Sequence, residues 1–268
     1  MEKLLGSSPP ALTVGPPRGP EDLAAFSTLY QEVFATLPGD SLTPRLLAAL
    51  HAHSGLVIGA WEGRRPVGFV YSFLARTRAQ EGHRLYQYSQ VAAVAADRRG
   101  AGVGRALKQA QAGAALASGV DLVRWAFDPL RAANAHFNLD VLGATTHRYA
   151  PGYYGDAAAG RDQGLATDRL IVDWELPARA RDQRDWPEAP VLPALAGHVV
   201  HGAEGRAYVT VPDSWPAPAL FQPAEARQLQ EEVGQGLSEL FTAGYTAVSC
   251  RRIRPGTAAY LLVKDVRR

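Results

Sequence analysis

The stretch Val94–Gly119, VAADRRGAGVGRALKQAQAGAALASG, limits what this chain can fold into more than any other. An apolar run ends at Val94, a glycine-rich turn follows, and an alanine-rich segment of helical character leaves that turn. Successive backbone N–H groups in such a turn form a concavity that suits an anion, and the start of a helix adds partial positive charge. Arg98, Arg99 and Arg105 sit in or beside the turn and deepen that potential. The pattern reads as a phosphate-binding turn at the end of a strand. The plain alternative is a glycine-rich turn that only lets strand and helix approach closely.

The spacing narrows the ligand. A nucleotide P-loop needs Gly, four residues, then Gly-Lys-Ser/Thr; here Arg105 and Ala106 follow Gly104, so both the lysine and the magnesium-binding hydroxyl are missing. A dinucleotide fingerprint counted from Gly100 and Gly102 puts Arg105 where the third glycine belongs. What fits is Arg99-x-x-Gly102-x-Gly104. This spacing, with the flank Val94–Leu107, resembles the signature of the GCN5-related N-acetyltransferases. The resemblance implies that Arg99, Gly100, Ala101, Gly102, Val103, Gly104 and Arg105 cradle the pyrophosphate of coenzyme A. It also implies that the strand before the loop bulges and frees a backbone N–H for the thioester oxygen. Ala92, Ala93 and Val94 occupy that stretch; their small side chains suit close approach of a cofactor and equally suit plain strand packing.

Composition agrees with an ordinary enzyme. The 268 residues permit one or two domains with a sizeable core, and a formal charge of +2 is too balanced to imply nucleic acid. Lysine occurs only at Lys3, Lys108 and Lys264. The single cysteine, Cys250, excludes an intramolecular disulfide or a thiolate metal cluster and reads as a small buried hydrophobe. No apolar run approaches membrane-spanning length and the N-terminus lacks a signal-peptide core, so the expected compartment is the cytoplasm. His198-x-x-His201 and His51-x-His53 lack partners at metal-ligand spacing, and no metal is expected.

Taken in order, residues 1–10 read as a tail, with a short strand at Ala11–Val14. Pro20-Glu21-Asp22 opens a helix whose Leu23, Phe26, Leu29, Tyr30, Val33 and Phe34 recur at helical spacing. A second short helix follows over Ser41–His53, with Thr43 before Pro44. Gly55–Trp61 and Pro66–Leu74 form a hairpin, and Leu85–Val94 is the strand that feeds the loop. The helix after the loop is expected to bury Val103, Ala106, Leu107, Ala110, Ala114 and Ala117. Asp121–Phe127 is a strand, Leu130–Leu142 a helix, and Ala144–Tyr149 and Leu170–Leu176 closing strands. The expected fold class is therefore α/β (α+β): a mixed, mostly antiparallel sheet flanked by helices, similar to the acetyltransferase fold over 11–176. Residues 177–190 read as a linker. Residues 191–268 read as an accessory region, strand, helix, strand, strand, which resembles half of the same fold without a glycine loop. It is expected to close an acceptor pocket or to join two copies of the chain.

The resemblance also extends to Asn134–Gly143. There Asn134 is implied to hydrogen-bond the pantetheine arm and Phe137 to line it. Many members carry a Tyr on this helix to protonate the departing thiolate; Asn138 and Leu139 stand at the nearby positions instead. Tyr149 and Tyr154 are the replacement phenols, and Asp128, at the end of a strand, is the candidate carboxylate. The implied activity is transfer of an acyl group from acetyl-CoA, or another thioester such as succinyl-CoA, to the amine of a small molecule. Neither nucleic acid nor membrane is an expected partner. The competing reading, prompted by the missing Tyr and base, is an acyl-CoA sensor without catalysis.

Overall fold

Alternating apolar residues from Leu56 to Val94 set up a meander in the first part of the chain. The computed structural model describes residues 11–35, 42–53, 55–155, 165–177, 191–215 and 223–264. The expected tail and most of the expected linker lie outside them. The chain divides into two units, Met1–Val120 and Asp121–Arg268.

In the first unit, β1 (Leu12–Gly15), β2 (Leu56–Glu62), β3 (Arg65–Arg76) and β4 (Leu85–Val94) pair in that order, each antiparallel to the next. Helices α1 (Pro20–Phe34) and α2 (Pro44–Ala52) cover one face. Proline fits their first turns because its missing N–H has no intrahelical partner there. The Thr43 hydroxyl caps α2 by accepting from the Leu46 N–H at 3.2 Å. Leu23, Phe26 and Leu29 of α1 pack on Trp61, Phe69, Tyr71 and Val91. Phe26 stacks on Phe69 with centroids 5.1 Å apart and tilts against Trp61 at 5.7 Å. Burying a side chain of this size contributes about 2–3 kcal/mol.

The opposite face is covered by α3 (Val103–Ala117), whose Val103 and Leu107 meet Ile58, Ala60, Val67 and Val70. The buried stripe of α3 differs from the expected one. Val103 and Leu107 are on it, but so are Lys108, Gln111, Ala112 and Ala115, while Ala117 is exposed. In an alanine-rich helix the hydrophobic pattern has little contrast, so two polar residues entered the interface unseen.

In the second unit, β5 (Leu122–Phe127), β7 (Arg169–Glu175), β6 (Thr145–Ala150), β10 (Tyr245–Arg254), β11 (Thr257–Lys264), β9 (Arg206–Pro212) and β8 (Val199–His201) lie side by side, every pair antiparallel. Residues after 191 thus continue the sheet begun by β5–β7–β6, through Ala247 opposite Thr146. Helix α5 (Pro223–Thr242) buries Val233, Leu237 and Leu240. The expected strand–helix–strand–strand order is present as β9, α5, β10 and β11, with β8 added. The helix expected over Leu130–Leu142 is shorter: α4 (Ala132–His136) passes into one π-helical turn at Phe137–Val141, closed by the Leu142 N–H on the Phe137 carbonyl at 3.0 Å.

Candidate functional site

The loop between β4 and α3 is built by two glycines in left-handed conformation, Gly100 at φ 77° and Gly102 at φ 83°. Gly102 stands directly before the helix and caps it with no side chain. The first intrahelical bond runs from the Ala106 N–H to the Gly102 carbonyl at 3.0 Å. The amides of Val103, Gly104 and Arg105 precede it, and helix geometry supplies them no carbonyl. Val103 is buried and anchors the helix start in the core. Three aligned amides at the positive end of a 15-residue helix suit an anion.

The arginines divide. Arg98 bonds Glu62 at 2.8 Å and Asp97 at 3.0 Å, so its charge is matched within the protein and does not serve the loop as expected. Asp97 is also held by Arg65 at 2.9 Å, an exposed pair whose guanidinium keeps the carboxyl below its usual range. Arg99 and Arg105 are exposed and form no ion pair among the described residues. Upstream, β4 carries an irregularity: Ser89 pairs with Ser72 and Val91 with Tyr71, leaving Gln90 without a partner on β3. This β-bulge precedes the stretch in which Ala92 is exposed, Ala93 buried and Val94 half-buried.

The second unit holds the remaining candidates. Asp128 is a turn residue whose carboxylate accepts from the Leu130 N–H at 2.9 Å and from Arg131 Nε at 3.1 Å. Asn134 is exposed on α4 and Phe137 is half-buried. The Tyr149 hydroxyl donates to Asp168 at 2.5 Å, and the second oxygen of Asp168 accepts from the Gly152 N–H at 2.9 Å. Burial first, and then the Asp168 hydrogen bond, push the Tyr149 phenol far above its ordinary pKa. Tyr149 also lies against Gly234 of α5, where any Cβ would collide with the phenol. We expect Tyr149→Phe to destabilise the protein by about 1–2 kcal/mol, because buried Asp168 loses a donor. No pH-dependent step below the ordinary phenol range should disappear with it, since this hydroxyl keeps its proton there. Urea titration at several pH values measures both. Tyr154 is different: it is 49% exposed, sits edge-on to Tyr153 and lies under Arg169 at 5.1 Å.

Two polar residues, one buried and one half-buried, went unassigned in the sequence. Asn138, in the π-helical turn, is 2% exposed and its Nδ2 has no acceptor. Only its place beside Phe137, where a phenol was expected, singles it out. Asp140 accepts from Ser249 Oγ at 2.6 Å, the Cys250 N–H at 2.9 Å, Arg251 Nε at 3.0 Å and His136 Nδ1 at 3.1 Å. The other neighbour of His136 Nδ1 is the Cys250 carbonyl at 2.9 Å; two acceptors put the proton on that nitrogen. Cys250 itself is buried, as expected, and burial raises its thiol pKa. A surface concavity of about 630 Å³ lies elsewhere, at the start of α1, lined by Arg18, Glu21, Asp22 and Arg64. Among the described residues no group of His, Cys, Asp and Glu could hold a metal, and no helix is long and apolar enough to cross a membrane.

No family model matches the chain, and no curated protein does. Solved structures do match. One is yncA from Salmonella typhimurium with its cofactor acetyl-CoA, at 19% identity and a TM-score of 0.50, covering 64% of this chain and 97% of that one. Another is an N-acetyltransferase from Staphylococcus aureus Mu50, at 14% identity and a TM-score of 0.50, covering 62% of this chain and 98% of that one. A GNAT-family protein from Desulfovibrio desulfuricans matches at 19% identity with a TM-score of 0.48 over 62% and 99%. At these identities the two likenesses with TM-scores of 0.50 establish the fold alone: the chain is folded like those acetyltransferase structures.

Proposed function

We propose that this protein is an acyl-CoA-dependent N-acyltransferase acting on the amine of a small molecule. The observation that carries the reading is the loop Arg99–Arg105, where two left-handed glycines lead into the uncapped first amides of α3, beside two exposed arginines that form no ion pair among the described residues. A diphosphate is a ligand such a loop suits, and the resemblance of the Arg99-x-x-Gly102-x-Gly104 spacing to the acetyltransferase signature favours that of coenzyme A. Acetyl-CoA is the first donor to test and succinyl-CoA the second, because its extra carboxylate could pair with an arginine.

The chemistry asked of the protein is modest. The amine lone pair attacks the thioester carbon, the nitrogen gives up one proton to solvent, the C–S bond breaks, and the thiolate leaves and takes up a proton. Positioning the two reactants supplies much of the acceleration. A main-chain N–H freed by the β4 bulge would steady the oxyanion. Since Tyr149 is committed to Asp168 and Asp128 to its turn and Arg131, we assign proton donation to the exposed phenol of Tyr154. Asn134 and Phe137 would follow the pantetheine arm.

Thiol release from acetyl-CoA and succinyl-CoA, followed with a panel of small amines, tests the reading. We expect amine-dependent release with at least one acceptor, lowered in Tyr154→Phe about tenfold or more. Tight CoA binding without release across the whole panel would instead favour a non-catalytic sensor. No CoA binding at all sinks both.

A further inference from the structure

Helix α3 buries a lysine where helix-on-sheet packing calls for an aliphatic side chain. Lys108 is 3% exposed, and its Nζ donates to Ser89 Oγ on β4 at 2.8 Å and to Gln111 Oε1 at 3.1 Å. On the same face of the sheet, Ser72 Oγ donates to Gln87 Oε1 at 3.0 Å. Ser72, Gln87, Ser89, Lys108 and Gln111 are all buried, and Gln111 Nε2 has no acceptor. Leucine or methionine at these helix positions would avoid both the desolvated amine and the orphaned amide. A polar set kept at that cost points to a use, and its position suggests which. Ser89 is the residue next to Gln90, where the pairing of β4 is interrupted, and Lys108 stands one turn after Arg105 of the anion loop.

The surroundings of the amine are sparse in charge. Of the strands that pack on α3, β1 carries no titratable side chain and β2 offers Glu62, which is taken by Arg98 at 2.8 Å. On β3, alternation from Ser72 puts Arg76 on this face, at the exposed end of the strand. On β4, Tyr86 and Tyr88 alternate to the other face, where Tyr88 meets Phe73. The helix's own Arg105 is exposed. Burial pushes the Lys108 pKa down to about 7.

Resting on the acyltransferase reading, we propose that Lys108 is a positioning residue for acyl transfer: through Ser89 it fixes the bulged stretch Ser89–Val91 of β4 to the helix that carries the coenzyme loop. The loop binds one end of the cofactor and the bulge serves the other, so a tie between them sets the distance at which the thioester is presented. Lys108 touches no reactant in this scheme and acts through the strand.

The test uses the full chain with Lys108→Met, Ser89→Ala and the double variant. Free CoA affinity, thermal midpoint and amine-dependent thiol release are measured on either side of pH 7, with amide NMR shifts of Gln90 and Val91. We expect the variants to bind free CoA as the wild type does, since the loop is untouched. Lys108→Met should melt no lower than the wild type, because methionine removes a desolvated amine. Turnover should fall roughly tenfold to a hundredfold, the range for small misplacements of a reactant. The double variant should be no worse than Lys108→Met alone, as expected for two groups acting through one bond. The ratio of wild-type to Lys108→Met turnover should change through pH 7, the acceptor's own titration dividing out. The Gln90 and Val91 shifts should bend at the same pH in the wild type and stay flat in Lys108→Met. Unchanged turnover in Lys108→Met, flat shifts in the wild type, or a joint loss of CoA affinity and melting temperature overturns the proposal. A wild type that binds CoA and turns over beside an equally active Lys108→Met rejects this proposal alone. A wild type that binds no CoA rejects the acyltransferase reading and this proposal with it.

Discussion

Gly102→Val is expected to weaken binding of free CoA about tenfold to a hundredfold while the β1–β4 meander stays folded. Gly102 holds φ 83°, a conformation that costs a β-branched residue about 1–3 kcal/mol. A Cβ there would meet nothing within 4 Å, so the protein resists the substitution through its backbone and not through a clash. The strain is relieved by turning the first peptides of α3, which takes the amides of Val103, Gly104 and Arg105 out of their helical alignment. Every 1.4 kcal/mol lost in that way is a factor of ten in affinity. Gly63→Val is the matched control: Gly63 also has positive φ, 61°, and open space around it, but lies in the turn between β2 and β3. Calorimetric titration with CoA should find the control intact and the Gly102 variant impaired. Equal affinities in the two variants would falsify the loop's role.

Asp140→Asn should be nearly as damaging as Asp140→Ala, each destabilising the second unit by about 3 kcal/mol. The reason is the identity of its four neighbours. Ser249 Oγ, the Cys250 N–H, Arg251 Nε and the protonated Nδ1 of His136 are all donors, and only a carboxylate accepts from all of them. Asparagine has the right shape but turns an amide N–H₂ toward two of these donors. Alanine takes away the carboxylate that accepts from buried Ser249 and from the Cys250 N–H. Denaturant unfolding followed by hydrogen exchange in β10 reads the effect, with Cys250 and its neighbours losing protection first. Recovery of stability in the asparagine variant would show that the negative charge is unimportant here.

Much of the first unit was legible because its patterns are local. The apolar face of α1, the Thr43–Pro44 start of α2 and the strands bounding Glu62–Arg65 rest on side-chain periods and turn residues only a few positions apart. The glycine loop was legible because left-handed φ values and an uncapped helix start leave a compositional mark. Three features left none. The burial of Lys108 and Gln111 depends on which face of an alanine-rich helix meets the sheet, and alanine does not record that. The π-helical turn at Phe137–Val141 shifts the helical phase by one residue, which regular spacing conceals, so nothing in the spacing marked Asp140 out. The pairing of Ala247 with Thr146 joins residues about a hundred positions apart, and no local pattern foretells it. The functional residues were harder than the fold. Tyr149 and Asp128 were chosen for their chemistry, yet their hydrogen bonds commit them to Asp168 and to a turn.

That long-range pairing bears on how this gene product can be handled in the laboratory. A fragment cut near residue 176, the length its acetyltransferase look-alikes would suggest, strips from β6 the strand that meets it at Thr146 and leaves β6 as an open border. Such borders recruit other chains, and the fragment should precipitate where the whole polypeptide does not. The intact sheet instead tapers to β8, three residues long, too short a selvage for a stranger to stitch onto.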